Sequence, residues 1–172
     1  MKKISSKILV AIIGCMLIIS CVVGSLIVVK TEETGLEPQW LEIEITESIL
    51  MHNFGHTIKT LEELKSIGIN IYLDDFGTGY SSLNYLRRLP INSIKIDKSF
   101  IDGLTTDVKD SFIASSLINL AHGIKLSVVA EGVENLQQLD LLRNYGCDEI
   151  QGYYFSKPLN AKEFELFLEK NS

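Results

Sequence analysis

Short runs of aliphatic residues alternate with segments of helical apolar spacing along most of this chain, and this alternation constrains the fold more than any other feature. The predicted strands are Leu41–Ile45, Ile69–Leu73, Ser93–Ile96, Lys125–Ala130 and Glu149–Gln151, with first residues 24 to 32 positions apart. Strand–helix units of that length form a parallel sheet covered by helices. The sequence therefore predicts an α/β fold. An antiparallel sheet with one solvated face is the alternative, which the helical segments disfavour.

Each predicted strand is followed by a segment whose apolar residues recur at helical spacing. We expect these residues to face the sheet: Ile58/Leu61/Leu64/Ile67, Leu83/Leu86, Val108/Phe112/Leu117/Leu120, Leu136/Leu139/Leu142 and Phe164/Phe167/Leu168. Gly68, Gly123 and Gly146 follow three of these segments. We expect these glycines to end helices in the left-handed conformation.

Aliphatic and polar side chains alternate within the strands. The polar positions are Glu42, Glu44, Asn70, Tyr72, Asp74, Lys95 and Asp97, and Glu131 and Gln151 follow at the ends of the last two strands. Because successive strand residues point to opposite faces, one face packs under helices and the other collects the polar groups. These groups concentrate near the carboxyl ends of the strands, where parallel α/β folds place their active sites.

Carboxylates dominate this polar set, at Glu44, at the adjacent pair Asp74 and Asp75, and at Glu131. Neighbouring carboxylates repel unless a cation or a base neutralises them, and hard oxygen ligands suit Mg²⁺ or Mn²⁺. Asp74 and Asp75 point in different directions and so are able to address two ions about 4 Å apart, as in two-metal hydrolytic sites. A capped turn is the alternative for the pair, because Asp commonly begins a loop or a helix.

Two further polar side chains lie on the same face. Lys95 would hold a phosphate oxygen or the attacking water, and Gln151 would orient a ligand or a metal-bound water. From Leu36 onward, acidic residues outnumber basic residues by 20 to 12. A binder of a phosphate backbone needs the opposite charge, so a nucleic-acid polymer is excluded as a partner. Three cysteines, at 15, 21 and 147, provide neither a disulfide framework nor a Cys-x-x-Cys metal site.

The first 30 residues have a different character. Residues 8–29 form a run of 22 without a charge, with lysines at 2, 3 and 7 before it and Lys30 after it. As a helix this run would rise about 33 Å, enough to cross a hydrocarbon core of about 30 Å. We expect residues 1–30 to be one transmembrane or signal-anchor segment and residues 31–38 to be a linker. A cleaved signal peptide and a lipoprotein modified at Cys21 are the alternatives.

Five motifs follow one another in a specific order. They are Leu41–Ser48 (LEIEITES), Leu73–Leu83 (LDDFGTGYSSL), Ile94–Asp97 (IKID), Val129–Glu134 (VAEGVE) and Gln151–Tyr154 (QGYY). Together they resemble EAL domains, bacterial phosphodiesterases that hydrolyse cyclic di-GMP to the linear dinucleotide pGpG. The resemblance implies a TIM-like (βα) barrel, a two-metal site for Mg²⁺ or Mn²⁺, and cyclic di-GMP as the ligand. Together with the uncharged run 8–29, it predicts a single-pass protein of a bacterial inner or plasma membrane.

The resemblance also implies a role for each matched residue. The implied metal ligands are Glu44, Asp74, Asp75 and Glu131, and the implied catalytic residues are Lys95, Glu131 and Gln151. Glu47 would anchor the loop 76–82, through which two copies would form a homodimer. The implied substrate-binding residues are Glu134 and Tyr153. Tyr153 would stack on a guanine base, and packing at the barrel rim is its alternative.

The chain departs from the family at its amino-terminal side. It contains no Glu-Ala-Leu sequence, and the family's Asn ligand has no counterpart. A complete (βα)₈ barrel takes about 250 residues, so we expect about five of the eight units. Residues 39–172 would then be the carboxy-terminal part of an EAL domain, a truncated barrel with open edge strands and an incomplete metal site. We expect weak hydrolysis of cyclic di-GMP. A catalytically inactive binding module or a truncated remnant is the alternative.

Overall fold

A computed structural model describes residues 35–47, 54–77 and 83–171 of the chain. Its strands are β1 (Glu42–Thr46), β2 (Asn70–Phe76), β3 (Ser93–Ile96), β4 (Ser127–Ala130) and β5 (Glu149–Ile150). All neighbouring strands are parallel, and their order in the sheet is their order in the chain. The predicted parallel α/β sheet is confirmed, and the antiparallel alternative is wrong. The strand bounds differ from the predicted ones by up to three residues.

Helices connect and cover these strands. They are α1 (Phe54–Ser66), α2 (Leu83–Leu86, a single turn), α3 (Lys98–Asp102), α4 (Val108–Gly123), α5 (Leu136–Asn144) and α6 (Ala161–Asn171), and a 3₁₀ turn (Pro38–Trp40) precedes β1. Three of the helices begin at an Asp or Asn whose side chain accepts a backbone N–H of the first turn. Such caps satisfy donors that the helix itself leaves without a partner.

The aliphatic face of the sheet forms the core. Ile45, Ile71, Ile94 and Val128, one from each of four adjacent strands, are all at most 2% exposed. They pack with helix residues that include Leu64, Ile118 and Leu142 in one hydrophobic cluster. The predicted alternation therefore separates a buried aliphatic face from a face that carries the polar groups.

The predicted core-facing set of α4 is wrong in part. Val108 and Phe112 are 85% and 70% exposed, while Ala114, Ile118 and Ala121 are buried. Successive helix residues are about 100° apart around the axis, so Val108 and Phe112 lie on the side opposite the buried residues. Two of the three buried residues of this helix are alanines. Alanine is small and only weakly apolar, so the spacing of large apolar residues does not reveal this face.

Two smaller predictions about helix ends are also wrong. Leu136 is the first residue of α5 and is 53% exposed, although Leu139 and Leu142 of the same set are buried. Gly123 is the last residue of α4 and is not left-handed; Lys125 takes that conformation instead, with φ +64°. Gly68 and Gly146 have φ of +94° and +83°, as predicted for helix ends.

The predicted membrane segment, residues 1–30, lies outside the described residues, as does the first half of the predicted linker, residues 31–34. Within the described part of the chain, the structure contains no helix that is long and apolar enough to span a bilayer. The loop 76–82 is described only at Phe76 and Gly77. Among the described strands, β1 and β5 stand at the two edges of the sheet, and each pairs with one neighbour.

Candidate functional site

Four strands bring one charged side chain each to the same end of the sheet. Glu44 lies on β1, Asp74 on β2 and Lys95 on β3, and Glu131 directly follows β4. The Lys95 Nζ lies 2.6 Å from Glu44 Oε1, 2.5 Å from Glu131 Oε1 and 3.6 Å from Asp74 Oδ1. Parallel strands end on the same side, so these contacts follow from the strand order and register. The structure thus places the ammonium among three carboxylates.

Lys95 is the most buried member of this cluster. Its side chain is 6% exposed, against 22–23% for the three carboxylates. Burial lowers the pKa of Lys95, but its hydrogen bonds to Glu131 and Glu44 and the charges of both carboxylates outweigh burial and raise the pKa overall. The ammonium is therefore charged at neutral pH. For Glu131, burial and the charges of Asp74 and Glu44 raise the pKa, and the contact with Lys95 offsets only part of that increase.

A backbone irregularity separates the directions of Asp74 and Asp75. The pairing of β2 with β3 shifts register between Leu73 and Phe76, and Asp75 has φ +56°. The Asp75 N–H donates to Asp74 Oδ1 at 3.0 Å. Burial, Asp74 and Asp97 raise the pKa of Asp75, and Lys95 offsets part of that increase. A left-handed non-glycine residue costs roughly 1–2 kcal/mol, and irregularities of this kind occur beside active sites.

The segment after β4 carries Glu134 to α3. Lys98 of α3 pairs with Glu134 and, at 3.3 Å, with Asp102. Gly132 has φ +70°, and a side chain at this position would collide with the Lys98 side chain. The glycine therefore allows this segment to run directly against Lys98. Both predicted glutamates of the segment are consequently paired with lysines, Glu131 with Lys95 and Glu134 with Lys98.

The remaining predicted site residues lie less closely around Lys95. Gln151 is exposed and bonds through its main chain, donating to Ala130 O at 2.8 Å and accepting from the Val133 N–H at 3.1 Å. Tyr153 is 58% exposed, with the Lys157 ammonium 5.8 Å from its ring centroid. Glu47 is half-buried just after β1, and the loop it is predicted to anchor lies mostly outside the described residues.

The donor chemistry of the cluster fits a divalent cation, because carboxylate oxygens are the ligands that Mg²⁺ and Mn²⁺ prefer. In the structure, however, the focus of the three carboxylates is the Lys95 ammonium. Across residues 35–47, 54–77 and 83–171, no group of three or more His, Cys, Asp or Glu side chains has the arrangement of a metal site. Carboxylate oxygens are suitable metal ligands, but in the structure these three carboxylates are arranged around the Lys95 ammonium.

Lys98 was not among the predicted site residues, although the structure joins it to Glu134. Its position, two residues after the end of β3, is the available signal, because the carboxyl ends of parallel strands collect functional residues. Tyr72 also had no predicted role; it is 5% exposed and donates to Glu42 Oε1 at 3.2 Å. Burial, Glu149 and Glu42 raise the pKa of Tyr72, so its hydroxyl stays protonated.

Comparison with known families gives one match over most of the chain. A family model described as EAL domain matches residues 20–158. The match begins inside the uncharged run 8–29. The chain is 50% identical over 133 residues to the signaling protein YkoW of Bacillus subtilis, and 49% identical over 137 residues to the cyclic di-GMP phosphodiesterase NbdA of Pseudomonas aeruginosa. These alignments cover 77% and 80% of this chain but only 17% and 18% of the two relatives.

Solved structures share the fold. The EAL domain of Mycobacterium smegmatis DcpA aligns with a TM-score of 0.83 at 35% identity, over 90% of this chain and 69% of that chain. The cyclic di-GMP complex of the PaMucR phosphodiesterase aligns with a TM-score of 0.74 at 41% identity, over 78% and 54%. The manganese and cyclic di-GMP complex of Klebsiella pneumoniae BlrP1 aligns with a TM-score of 0.72 at 31% identity, over 78% and 34%.

Proposed function

This chain belongs to the EAL domain family, and from that membership we propose that it forms the carboxy-terminal part of a metal-dependent phosphodiesterase site for cyclic di-GMP. The observation that carries the proposal is the convergence of Glu44, Asp74, Lys95 and Glu131 from four adjacent strands. NbdA, a relative at 49% identity, is a cyclic di-GMP phosphodiesterase, and similar structures hold that dinucleotide. Their ligand is the ligand proposed here.

We propose that Glu44, Asp74 and Glu131 hold Mg²⁺ or Mn²⁺, with Asp75 serving a second ion. The donor chemistry supports this assignment, as do the manganese and calcium complexes of BlrP1. Such an ion supplies Lewis-acid activation of water and charge stabilisation at phosphorus. The chain itself contributes Lys95, whose buried positive charge would stabilise a phosphate oxygen or hold the attacking water.

Three further residues would contact the dinucleotide. We propose that Gln151 and Glu134 orient it and that the exposed Tyr153 ring stacks on a guanine. Glu134 is already held beside α3 by its pair with Lys98. Stacking of an exposed tyrosine on a base contributes about 1–3 kcal/mol. Packing of Tyr153 at a barrel rim is the competing assignment.

A second function, binding without hydrolysis, is favoured by one observation. The carboxylates surround Lys95, and the described residues do not show the arrangement of a metal site. The 172 residues also contain no Glu-Ala-Leu sequence. A site with fewer ligands binds metal more weakly, so we expect this polypeptide alone to hydrolyse cyclic di-GMP slowly.

The test is a hydrolysis assay on the whole chain with Mn²⁺ or Mg²⁺, following conversion of cyclic di-GMP to pGpG. We expect slow turnover that Glu131→Gln and Asp74→Asn abolish and that Glu62→Gln, a change on the exposed face of α1, leaves intact. Binding without turnover, lost in the same two variants, supports the binding module. Neither binding nor turnover by a folded chain refutes both functions.

For the amino-terminal residues we propose a single membrane span over residues 8–29, which would anchor the protein in a bacterial inner or plasma membrane. The uncharged length and the lysines around it support this proposal. The family match begins at residue 20, so residues 20–29 belong both to the proposed span and to the matched EAL domain. Alkaline extraction of membranes tests it: a spanning segment stays in the pellet, and release into the supernatant contradicts the span.

We propose further that two copies associate through the loop 76–82, with Glu47 as its anchor. The proposal follows from the sequence motif LDDFGTGYSSL and from the position of Glu47 just after β1. Sedimentation of the whole chain in detergent tests it. A dimer that Glu47→Gln weakens supports the loop contact, and a monomer at all concentrations contradicts it.

A further inference from the structure

Gln138 is a buried polar side chain that the proposed chemistry does not use. It lies in the first turn of α5 and is 4% exposed. Its Oε1 accepts from the Glu134 N–H at 2.8 Å and from the Asn135 N–H at 3.3 Å. Its Nε2 donates to Ile101 O at 3.0 Å. A buried amide that bonds only to backbone ties together the segments to which that backbone belongs.

Helix capping accounts for part of this arrangement. Asn135 caps α5 and accepts from the Gln138 N–H at 3.0 Å, and Gln138 accepts the Asn135 N–H in return, which is a capping box. The bond from Glu134 and the bond to Ile101 go beyond that box. Ile101 belongs to α3, so the second bond joins two helices. A glutamate would serve the capping box equally well, but it lacks the donor for Ile101 O.

The segment held in this way carries two of the proposed site residues. It runs from Glu131 to Asn135, between β4 and α5. At its beginning, the Glu131 N–H donates to Ile96 O at 3.2 Å, and in its middle the Val133 N–H donates to Gln151 O at 3.1 Å. Gln138 holds its end. Without Gln138 the segment would keep its attachment to the sheet but lose the buried hydrogen bond to α3, which leaves the exposed Lys98–Glu134 pair.

One of the two lysines that pair with the segment belongs to the same helix as Ile101. Lys98 lies on α3 and pairs with Glu134, whereas Lys95 lies on β3 and pairs with Glu131. The distance between α3 and the segment therefore decides whether Lys98 reaches Glu134, while the bond from the Glu131 N–H to Ile96 O keeps Glu131 beside Lys95. Gln138 sets this distance with a hydrogen bond at the interface, where a charge pair alone would leave a flexible contact.

We propose that Gln138 is a positioning residue, which ties the segment Glu131–Asn135 to α3 and thereby holds Glu134 on Lys98. The inference rests on the proposed function for the role of the positioned carboxylate, whereas the positioning itself is a property of the fold. A cap of α5 with no effect on the lysines is the competing role.

Three variants separate these roles. Gln138→Met keeps the volume of the side chain and removes all three side-chain bonds. Gln138→Glu keeps an acceptor for the Glu134 and Asn135 N–H groups and removes the donor to Ile101 O. Gln137→Met is the matched control, because Gln137 is the preceding residue of α5 and is exposed.

The experiment is NMR on the whole chain, read through the amide hydrogen exchange of Glu134 and through the side-chain ammonium signals of Lys95 and Lys98. In Gln138→Met we expect exchange of the Glu134 amide to rise about tenfold, as the loss of one hydrogen bond implies. We also expect the Lys98 ammonium signal to shift while that of Lys95 stays in place. In Gln138→Glu we expect the Glu134 amide to stay protected while the Lys98 ammonium signal shifts. Gln137→Met should match the wild type in both readouts.

A Lys98 ammonium signal that stays at its wild-type position in both Gln138 variants would overturn the proposal and leave a helix cap. If the variants do not fold, the wild type decides: slowly exchanging Gln138 amide protons with a nuclear Overhauser contact to Ile101 support the bond, and their absence overturns it. Mn²⁺ titration of the same samples tests the proposed function separately. A wild type that binds no Mn²⁺ contradicts that function, while the lysine signals still decide the role of Gln138.

Discussion

At the scale of single residues, the site depends on a buried lysine that compensates three carboxylates. Removing one partner of a buried ion pair costs more than the pair contributes, because the remaining charges stay buried without compensation. Lys95 is 6% exposed, and each carboxylate is less than a quarter exposed. Lys95 is therefore important for stability as well as for the proposed chemistry.

Lys95→Met should lower the free energy of unfolding at pH 7 by about 2–3 kcal/mol, since Glu44, Asp74 and Glu131 then repel one another. Urea denaturation in metal-free buffer measures the loss. The loss should shrink in acid, where the carboxylates take up protons, and on addition of Mn²⁺. Lys59→Met, a change at an exposed position of α1, is the control. Equal effects of the two substitutions would show that the cluster does not depend on Lys95.

Asp75→Asn should stabilise the metal-free protein at neutral pH. The pKa of Asp75 is raised in the folded state by burial, Asp74 and Asp97, so its ionisation disfavours folding above that pKa. The gain is less than about 1 kcal/mol because the residue is exposed. It decreases as the pH falls through the raised pKa of the folded state and is lost at about pH 3.5, where the carboxyl is protonated in both states. Asn tolerates the left-handed backbone of this position. Urea unfolding at neutral pH and at about pH 3.5 measures the gain in stability. Equal gains at the two pH values would be inconsistent with an electrostatic cause.

At the scale of elements, the strands were predictable because aliphatic and polar side chains alternate along them, as the two faces of a sheet require. Ile71, Leu73 and Ile94 are buried on the aliphatic face, as their parity predicts. The helices were less predictable, since α4 packs Ala114 and Ala121 against the sheet and exposes Phe112. Helix α3 was not predicted, because five residues are too few to show an apolar period. The cap at Asp97, which accepts from the Ser99 N–H, is its only local signal.

The chain after β5 runs closely against the segment that follows β4. A Cβ at Gly152 would run into the backbone of Val133, whose N–H and carbonyl bond to Gln151 and Tyr154. Gly152→Ala should therefore cost about 2–3 kcal/mol of stability, because overpacking here pushes backbone against backbone. Urea unfolding measures this cost.

Gly123→Ala is the control for that change, because the space around Gly123 is open and the residue ends α4. We expect Gly123→Ala to be neutral or to stabilise by up to about 1 kcal/mol, as alanine does in a helix. A loss in Gly152→Ala no larger than in the control would mean that the close approach between Gly152 and Val133 is not rigid.

At the scale of the whole molecule, the site depends on chain order. Four consecutive strands lie side by side, so residues 51 positions apart in sequence, Glu44 and Lys95, meet through their side chains. The sequence predicted which residues collect at the strand ends. It could not predict that Lys95 is the focus of the carboxylates, because which cation the acids surround depends on side-chain geometry and on what is bound.

The charge of the molecule sets a condition on its proposed ligand. The chain carries a formal net charge of −6, and the proposed site holds more carboxylates than lysines. Because cyclic di-GMP is an anion, divalent cations must offset the repulsion between this site and the dinucleotide. Binding should therefore require the cation, and a chelator should abolish it.

Calorimetric titration of cyclic di-GMP into the whole chain, in Ca²⁺ and again in EDTA, tests the central claim most directly. Heat of binding in Ca²⁺ that disappears both in EDTA and in the Glu131→Gln variant is the predicted result. Binding of equal strength in all three conditions would contradict the claim, because the carboxylates and their cation would then have no part in holding the dinucleotide. A folded chain that shows no binding in Ca²⁺ would contradict it as well.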